Sequence, residues 1–486
     1  MTVTIRLMGI LFLVLLLLFI YAHSHFRVDE GFTALPLNFD PYTNSSHYEG
    51  SGVAVDIQGG FVKGLIREQN GKSLLLRSIS PSPTIKIKKL PGASAQEVRI
   101  SLENVDPLNT EIQHLTGNAA QISGPHTVSF SVPLNEQGLE VSVSPKNAHP
   151  DYTEFVMLGD NRNGYRTFGQ ILNQINGIRP IFAVDDGDLV FGGEANKYRL
   201  FNETLSSLQV PLYTTLGNHD IRENGRAIYT ELYGPPYYSF DYAGKHFVFL
   251  DSSRGWTEKR AIPEEQYRWL EQDLRLAQGK SIYLFSHIPP TDPRTYKDPN
   301  TLPNIPGVAK QGYFERMMNN YTLYKSLNHG FPDPEEAARF ERLMEAYHVD
   351  TVFLSHIHSY FSYIKNNVRY IISGGGGAEL LSENSYYHFL RVKLSGRGTD
   401  LEMVELPSPP NAIMDRYLAA GQLFARSLYK EYTTVVWAVS LALALLLGLF
   451  LWRIRHVCLK VLRFSLAWLK IVGKEGRIAY KKLKEK

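Results

Sequence analysis

The chain is almost free of cysteine, with Cys458 as the single thiol among 486 residues. One thiol excludes a disulfide framework within the chain and a structural zinc site made of several thiolates. The composition is otherwise ordinary, with 44% apolar and 20% charged residues, which excludes a chain that is disordered throughout. Because this length exceeds what one hydrophobic core usually organises, we expect two or more folded parts.

Charge is missing from two stretches of the sequence. Residues 433–452 are twenty consecutive uncharged residues, long enough to cross a bilayer core of roughly 30 Å as a transmembrane helix. Residues 7–22 are a sixteen-residue apolar run behind Arg6, and Ala22 and Ser24 form a small-x-small site after it. This pattern suits either a cleaved signal peptide or a signal anchor over residues 1–24.

Positive charge is concentrated behind the predicted span, where residues 453–486 hold eleven Lys and Arg residues against two acidic residues. Positive flanks stay on the cytoplasmic side. This predicts a cytoplasmic tail and an exported middle segment, on a periplasmic, extracellular or lumenal side. The tail's spacing predicts a basic amphipathic helix on the inner leaflet, or alternatively a stop-transfer flank with no role of its own. Neither interpretation needs nucleic acid as a partner.

The first part of the exported segment has the pattern of β-structure. Residues 25–50, rich in polar and aromatic residues, predict an irregular linker. Within residues 51–147, apolar and polar residues alternate at period two in four runs, at 84–90, 98–104, 127–132 and 139–144. Short strands at such spacing predict a small β-sandwich of immunoglobulin-like type over residues 51–147.

Beyond Pro150 the pattern changes, and apolar strands alternate with helical segments up to about residue 405. The predicted strands are 154–159, 181–188, 211–218, 246–253, 281–287, 349–356 and 368–377, and the predicted helices are 167–178, 194–209, 263–278 and 334–348. Buried strands with helices between them predict an α/β layered fold. Residues 289–334 are too long for a plain connection and predict a functional insertion.

Unusual polar side chains stand where these predicted strands end. They are Asp160 in GDNRNGY, Asp188 in DDGDLV, Asn218 and His219 in LGNHD, His287 in FSHIPP, and His356 and His358 in FLSHIHSY. Ligands of α/β sheets bind at the carboxyl ends of strands, so we expect these side chains to converge. Their mixture of carboxylate, amide and imidazole groups suits Mn, Fe or Zn better than Ca or Mg.

Each residue type in this set has a role in phosphate ester chemistry. A carboxylate can bridge two cations about 3.5–4 Å apart, which activate a shared water and clamp the oxygens of a phosphate. A histidine beside them can donate a proton to the departing alkoxide. Taken singly, the motifs are weak signals apart from GNHD, but the ordered set is a strong one.

The ordered motifs GD, GD, GNHD, SHIPP and SHIH resemble those of the calcineurin-like metallophosphoesterases, over about residues 150–405. The resemblance implies a two-sheet α/β sandwich flanked by helices, with a dinuclear metal centre at one edge. It implies that His219 is the acid or the transition-state stabiliser and that Asp188 bridges the two cations. The implied ligands of the first cation are Asp160, Asp188 and His358, and those of the second are Asp188, Asn218, His287 and His356.

The sequence departs from the family's pattern in the first motif. Family members often have a histidine two residues after the first aspartate, whereas this chain has Arg162, which stays protonated and cannot ligate a cation. Three interpretations remain open. Arg162 binds a substrate phosphate, or the first cation is held weakly by water or Asn161, or the site is mononuclear or inactive.

A glycine run offers a further candidate site. Gly375 and Gly376, in the run 374–377, are candidate substrate-binding residues because backbone amides can cradle a phosphate. The equally weighted alternative is that the glycines only allow the chain to approach closely near the cations.

Together these observations predict a membrane-anchored, exported, metal-dependent hydrolase, a phosphatase or phosphodiesterase in which metal-bound hydroxide attacks a phosphate mono- or diester. The anchor and the insertion favour a lipid-linked or surface-bound substrate. One alternative is a catalytically weakened domain that acts as a surface binding or scaffold module. Another is an enzyme that trims a cell-surface carbohydrate bound by the β-sandwich.

Overall fold

In the computed structural model, two parts of the chain are distinguished, one of residues 26–423 and one of residues 1–25 with 424–486. The described residues are 32–68, 71–94, 96–114, 120–294, 328–380, 386–396, 398–408, 412–438 and 440–449, with the single residues 452, 455, 463, 465 and 466. The predicted signal or anchor segment at 1–24, most of the predicted insertion and most of the tail lie outside them.

Twelve described strands precede residue 150 and form two six-stranded sheets, ordered β1-β5-β6-β8-β11-β10 and β2-β3-β4-β7-β12-β9. In β7 the sequence TIKIKK buries Ile85 and Ile87 and exposes lysines between them, as a period-two strand should. The strands are β1 Phe32–Ala34, β2 Phe39–Asp40, β3 Ser45–Gly50, β4 Val53–Gln58, β5 Gly60–Glu68, β6 Gly71–Ser78, β7 Thr84–Lys89, β8 Glu97–Glu103, β9 Thr110–Gln113, β10 Gln121–Gly124, β11 Thr127–Pro133 and β12 Leu139–Pro145.

One apolar core is built from both of these sheets. Val55 and Ile57 from β4 belong to the same buried cluster as Leu74 and Leu76 from β6 and Phe130 from β11. The assignment of this part to the immunoglobulin-like type stays a prediction.

The predicted linker at 25–50 is wrong over its described part, which contributes three strands. Strand β1 pairs antiparallel with β5, and β3 pairs antiparallel with β4. Leu37 and Phe39 pack against the core of the following domain. This stretch has no regular hydrophobic period, and its strands are completed by hydrogen bonds to partners elsewhere in the chain, so the local sequence alone does not indicate them.

The remaining strands form two further sheets, ordered β15-β14-β13-β22-β23 and β16-β17-β18-β19-β21-β20. Strands β13, β14 and β15 are parallel, as are β17, β18, β19 and β21. The strands are β13 Thr153–Leu158, β14 Phe182–Asp185, β15 Leu212–Thr214, β16 Tyr238–Tyr242, β17 Lys245–Leu250, β18 Ser281–Ser286, β19 Thr351–Leu354, β20 Tyr360–Lys365, β21 Val368–Ser373, β22 Tyr387–Ser395 and β23 Gly398–Leu406.

The described helices are α1 Tyr165–Ile178, α2 Ala195–Leu205, α3 Gly225–Tyr233, α4 Glu264–Leu276, α5 Pro334–Ala346 and α6 Ala412–Glu431. Pro334 opens α5 beside Asp333, whose side chain accepts from the Glu335 amide as an N-cap. Helices predicted at 167–178, 194–209, 263–278 and 334–348 correspond to α1, α2, α4 and α5.

The layers are held by three apolar clusters. Between the sheets, Phe155, Phe182 and Phe285 pack with other aromatic side chains. On the outer face of the five-stranded sheet α1 and α2 contribute a second cluster, and on that of the six-stranded sheet α4 and α5 contribute a third. The result is a mixed α/β arrangement of helices, two sheets and helices, consistent with a metallophosphoesterase fold.

Several polar contacts fix the first two sheets to this α/β part. The Asn104 side chain makes two hydrogen bonds to the backbone of Leu212, one as donor at 3.0 Å and one as acceptor at 2.8 Å. The Arg179 guanidinium donates to both carboxylate oxygens of Asp106, at 2.9 and 2.7 Å. Strand β15 and the end of helix α1 are therefore held by contacts with the two preceding sheets.

Among the described helices, none is long and apolar enough to cross a membrane. The predicted span at 433–452 includes positions 439, 450 and 451, which lie outside the described residues. The span therefore stays a prediction. The predicted insertion at 289–334 is described only at 289–294 and 328–334.

Candidate metal centre

The candidate ligands lie after the carboxyl ends of parallel strands, and all are buried. Two follow β13 and β14 of the five-stranded sheet, one follows β15, and three follow β18 and β19 of the six-stranded sheet. They are Asp160, Asp188, Asn218, His287, His356 and His358. Parallel pairing brings strand ends to one edge, so the topology gathers residues that are up to 198 positions apart.

The backbone at three of these positions is in the left-handed region. The φ angles are 58° at Asp160, 56° at Asp188 and 67° at His356. Non-glycine residues at such angles cost of order 1–3 kcal/mol and cluster at functional sites. At Asp160 the conformation is held by hydrogen bonds from its amide to the Gly187 carbonyl (3.0 Å) and from the Ala378 amide to its carbonyl (2.7 Å).

Three side chains form a compact ligand group. One donor atom from each of Asp160, Asp188 and His287 lies within 4.8 Å of the others. His287 Nδ1 lies 2.7 Å from the Asp186 carbonyl oxygen. Because a carbonyl only accepts, Nδ1 carries a proton and donates it. This arrangement turns Nε2 towards the centre, 3.3 Å from Asp188 Oδ1, where a bound cation would take the place of a proton.

His358 is oriented in the same way. Its Nδ1 donates to the backbone carbonyl of Glu379, and its Nε2 lies 3.3 Å from Asp160 Oδ1. Both imidazoles therefore present Nε2 to the carboxylates, which is the arrangement that a metal-ligating histidine requires.

Several buried ligand atoms lack a hydrogen-bond partner within the described part of the chain. They are both carboxylate oxygens of Asp160, Oδ2 of Asp188, Oδ1 of Asn218 and Nε2 of His287. Buried polar atoms are nearly always paired, because leaving one unpaired costs several kcal/mol. Divalent cations would satisfy these acceptors, so the residues present fit a metal centre.

The charges of the centre are strongly coupled. Burial raises the pKa of the Asp188 carboxyl, but His219, His287 and Arg162 outweigh it and hold that pKa well below the ordinary value. Burial lowers the pKa of His287, but the Asp188 carboxylate raises it to about 10. These positively charged neighbours keep the Asp188 carboxyl ionised.

His219 is held as a neutral imidazole. Its Nδ1 lies 2.6 Å from the Phe191 carbonyl, so Nδ1 carries the proton. Its Nε2 accepts from Arg162 Nη1 at 2.8 Å and from Arg222 Nη2 at 3.0 Å. Burial and then Arg162 lower its pKa to about 4, against the opposing pull of Asp188. In this arrangement the arginines, not His219, supply the positive charge.

Arg162 lies inside the centre, with its side chain 10% exposed. Its Nε is 3.3 Å from Asp188 Oδ2, and its Nη2 donates to Nε2 of His358. A guanidinium has donors only, so this contact uses the lone pair that a first cation would need. Arg162 thus contacts both halves of the centre: in the Asp160–His358 half it uses the ligand nitrogen of His358, and in the Asp188–His287 half it lies beside Asp188 Oδ2.

The other proposed ligand of the first motif, Asn161, is buried and donates through Nδ2 to Oδ2 of Asp185. Its Oδ1, the atom that could ligate a cation, has no hydrogen-bond partner among the described residues. The interpretation in which Asn161 helps to hold the first cation therefore stays a prediction.

The glycine run is packed against the chain. The Gly376 amide donates to the Gly159 carbonyl at 2.9 Å. A Cβ at Gly375 would lie 2.1 Å from the His388 ring, and one at Gly376 would lie 2.4 Å from the Gly159 carbonyl. This placement favours close chain approach over a phosphate cradle at these two positions.

Three residues near the centre were not singled out from the sequence. Asp220 accepts from the amides of Gly217 (2.8 Å) and Val190 (3.0 Å) and so holds the GNHD turn. The His329 ring lies 5.3 Å from that of His356. Glu379 lies beside Arg162. Asp220 is part of GNHD and could have been found there, whereas nothing in the sequence near His329 or Glu379 signals a contact with the centre.

Comparisons with known proteins agree with the predicted family. Residues 153–360 match the family model described as calcineurin-like phosphoesterase. A probable glycerophosphodiester phosphodiesterase GpdQ of Arcobacter nitrofigilis is 31% identical over 123 residues, 23% of this chain and 43% of that protein. The glycerophosphodiester phosphodiesterase GpdQ of Enterobacter lignolyticus is 31% identical over 129 residues, 25% of this chain and 46% of that protein.

The chain therefore spans less than half the length of these curated relatives. Among solved structures, purple acid phosphatase PPD1 from Lupinus luteus is 15% identical and has a TM-score of 0.37, with 69% of this chain and 79% of that chain covered. A similarity at this level carries no further conclusion.

Proposed function

We propose, from the premise that residues 153–360 are a calcineurin-like phosphoesterase domain, that this chain hydrolyses a phosphate ester with divalent cations. The observation that carries the proposal is the convergence of buried acceptor atoms without hydrogen-bond partners among the described residues at Asp160, Asp188, Asn218 and His287. Such a set is costly unless it binds cations.

The residues divide into two ligand groups. Asp188, Asn218, His287 and His356 would hold one cation, and Asp160 and His358, with Asp188 shared, would hold the other. The cations, when bound, supply an activated water and positive charge for the phosphate oxygens. Mn, Fe and Zn remain the cations that suit this donor set.

The chain itself supplies the groups that orient the ester. Arg162 and Arg222 converge on His219 Nε2 and place two guanidinium groups at the side of the centre. Guanidinium donors in this position would bind the non-bridging oxygens of a phosphate and stabilise charge that builds on them. His219 would then accept hydrogen bonds from the two arginines and fix their orientation. This is the role of a transition-state stabiliser and not that of a proton donor.

The substrate class to test first is a phosphodiester, because the two curated relatives described above are named as a glycerophosphodiester phosphodiesterase and a probable one. A glycerophosphodiester carries one negative charge, and its leaving group is an alkoxide. Monoesters are the comparison substrate, since Arg162 and Arg222 would also bind a dianionic phosphate.

Elemental analysis of the purified full-length chain, after growth with added Mn, Fe and Zn, is the first experiment. It is paired with hydrolysis of glycerophosphodiesters and phosphate monoesters. Cation content near two per chain together with turnover would support the proposal. One cation or none, without turnover, would contradict it.

A second candidate function is a binding or scaffold module. The observation that favours it is the Arg162 guanidinium on His358 and beside Asp188, where it occupies ligand atoms of the first cation. This candidate predicts a chain that retains phosphate affinity but does not turn over any phosphoester at saturating cation.

We also propose that the chain is anchored in a membrane by residues 433–452 and that the phosphoesterase domain is exported. Support comes from the uncharged run and from the basic residues behind it. In sealed membrane vesicles oriented with the non-cytoplasmic face outward, an added protease should remove the domain and spare the tail. Protection of the domain would contradict export.

An anchored enzyme would meet substrates at the membrane surface, so the substrate is proposed to be lipid-linked or surface-bound. The full-length protein should then turn over a micellar glycerophosphodiester faster than a soluble one. Equal turnover of the two would count against this part of the proposal.

A further inference from the structure

The start of helix α6 is fastened to the elements that carry the first motif. Asp415 forms an ion pair with Arg166 of α1 at 2.7 Å. The next residue, Arg416, donates to the Tyr387 hydroxyl at 2.9 Å and lies 3.5 Å from Glu379 Oε1. Arg416 is 7% exposed, so its charge is nearly removed from water and depends on these partners.

Glu379 connects Arg416 to the metal centre. One carboxylate oxygen faces Arg416, and the other lies 3.9 Å from Nη1 of Arg162. The backbone carbonyl of Glu379 accepts from His358 Nδ1. A single residue therefore contacts the arginine and one of the histidines of the same half of the centre.

The arrangement has a physical consequence for Arg162. A free arginine side chain loses rotamer entropy when it is held in one geometry. Contacts that hold the guanidinium in place before phosphate binds reduce the entropy cost of binding. Glu379 lies between Arg162 and Arg416, at 3.9 and 3.5 Å with its side chain 38% exposed, and its attraction to both guanidinium groups favours this orientation of the carboxylate.

We propose that Glu379 and Arg416 are positioning residues, through which helix α6 holds the Arg162 guanidinium at the phosphate position. The proposal rests on the phosphate-binding role of Arg162 given under the proposed function. It assigns a part in the site to a helix that lies beyond the phosphoesterase family match, which ends at residue 360.

The decisive measurement is the Kd of inorganic phosphate for the Mn-loaded full-length protein, by calorimetry, because it does not depend on turnover. Glu379→Gln removes a negative charge near the bound anion, and electrostatics alone would make phosphate bind more tightly. Positioning predicts the opposite, an affinity weakened roughly five- to tenfold. Unchanged or tighter binding would overturn the proposal.

Helix α6 provides matched variants. Arg416→Met should weaken phosphate binding by a similar factor, and Arg416→Lys, which keeps the charge, should restore part of it. Asp415→Asn is the control, since it breaks the neighbouring ion pair to Arg166 without touching Glu379. Asp415→Asn should leave the Kd within about twofold. An equal loss in Asp415→Asn and Arg416→Met would assign the effect to helix docking and not to positioning.

A double-mutant cycle with Arg162→Ala separates this inference from the proposed function. In the Arg162→Ala background, Glu379→Gln and Arg416→Met should no longer weaken phosphate binding. If Arg162→Ala alone leaves the Kd unchanged, the phosphate-binding role of Arg162 has failed. If Arg162→Ala weakens binding but the other two variants do not, only the positioning has failed. With a turned-over substrate, the same variants should raise KM more than they lower kcat.

Discussion

The two halves of the candidate metal centre are built from the same kinds of strand end but differ in what faces their ligands. In the Asp188–His287 half, the donor atoms face one another at 3.3 Å and the outer ring nitrogen of His287 is bound to a carbonyl. In the Asp160–His358 half, a guanidinium contacts the inner ring nitrogen of His358. Arg162 lies beside Asp188 Oδ2 in the first half, and in the second half it occupies the ligand nitrogen of a histidine.

This difference shows how one substitution alters a site without dismantling it. A neutral imidazole at position 162 could join the ligands of the first cation, whereas arginine brings its own charge to the same carboxylates. The Asp188 carboxylate serves both arrangements, because it lies beside Arg162 and His287. Variants that treat the two halves separately therefore test the comparison.

The largest effect is expected for Asp188→Asn, which removes the carboxylate shared by both halves. We expect loss of bound cation and a fall in kcat of about 1,000-fold or more, since metal ions contribute several kcal/mol of transition-state stabilisation. Elemental analysis and steady-state kinetics measure the two effects. Asp251→Asn is the matched control. Asp251 is also a buried carboxylate that follows a parallel strand, but it pairs with Arg226. The Asp251→Asn protein should therefore keep its cations.

A smaller and unequal pair of effects is expected for His287→Asn and His358→Asn. The first should lower kcat by about 100-fold and remove one cation per chain, whereas the second should cost about tenfold, because Arg162 already uses Nε2 of His358. Calorimetric Mn titrations of both variants give the cation count. Equal losses in the two variants would show that the halves are equivalent.

Arg162→Ala is expected to raise KM by about 10- to 30-fold, the factor that corresponds to the loss of one charge-assisted hydrogen bond to phosphate. The cation content should stay unchanged. Loss of a cation in this variant would show that Arg162 supports the metal centre and does not bind substrate. Arg162→His sharpens the test, because an added imidazole should strengthen the weaker of the two Mn affinities.

The smallest effect on the centre is expected at His246, a buried histidine that lies between Asp241 and Asp273 at 2.8 Å from each. Burial lowers its pKa, but the two carboxylates raise it to about 9, above the ordinary value of 6.5. A raised pKa stabilises the fold fully below pH 6.5, and this stabilisation is lost as the pH rises through about 9.

Urea unfolding between pH 6 and 9.5 should show the chain losing roughly 2–3 kcal/mol of unfolding free energy from this group. In His246→Gln that part of the pH dependence should be absent, while cation content and KM stay unchanged. A pH dependence identical to that of the unchanged chain would assign the effect to other groups.

Much of the fold and most of the ligand set could be predicted from the sequence. Buried strands such as 154–159 and 281–287 and helices such as 263–278 carry their period and end signals locally, so the α/β arrangement follows from pattern. Parallel strands end at one edge of a sheet, so the sequence alone predicts that Asp160, Asp188 and His287 lie close together. The family match at 153–360 is the expected outcome of those motifs.

Other features could not be predicted because they depend on partners distant in sequence. Strands β1–β3 lack a regular period, and they are completed by β4, β5 and the neighbouring core. The packing of Gly375 and Gly376 against His388 and Gly159, which favours close approach of the chain, also comes from partners distant in sequence.

The sequence by itself determined which chemistry is present: the carboxylates, the amide and the imidazoles at strand ends, and an arginine where a ligand is usual. Only the tertiary structure decided where that arginine points. The geometry around Arg162 sets its guanidinium on His358 and near Asp188 and Glu379, and brings Arg416 from 254 residues away to the far side of Glu379. The physical reason is that a motif fixes the identity and order of side chains, whereas the direction of a long charged side chain is set by all the charges that folding places around it.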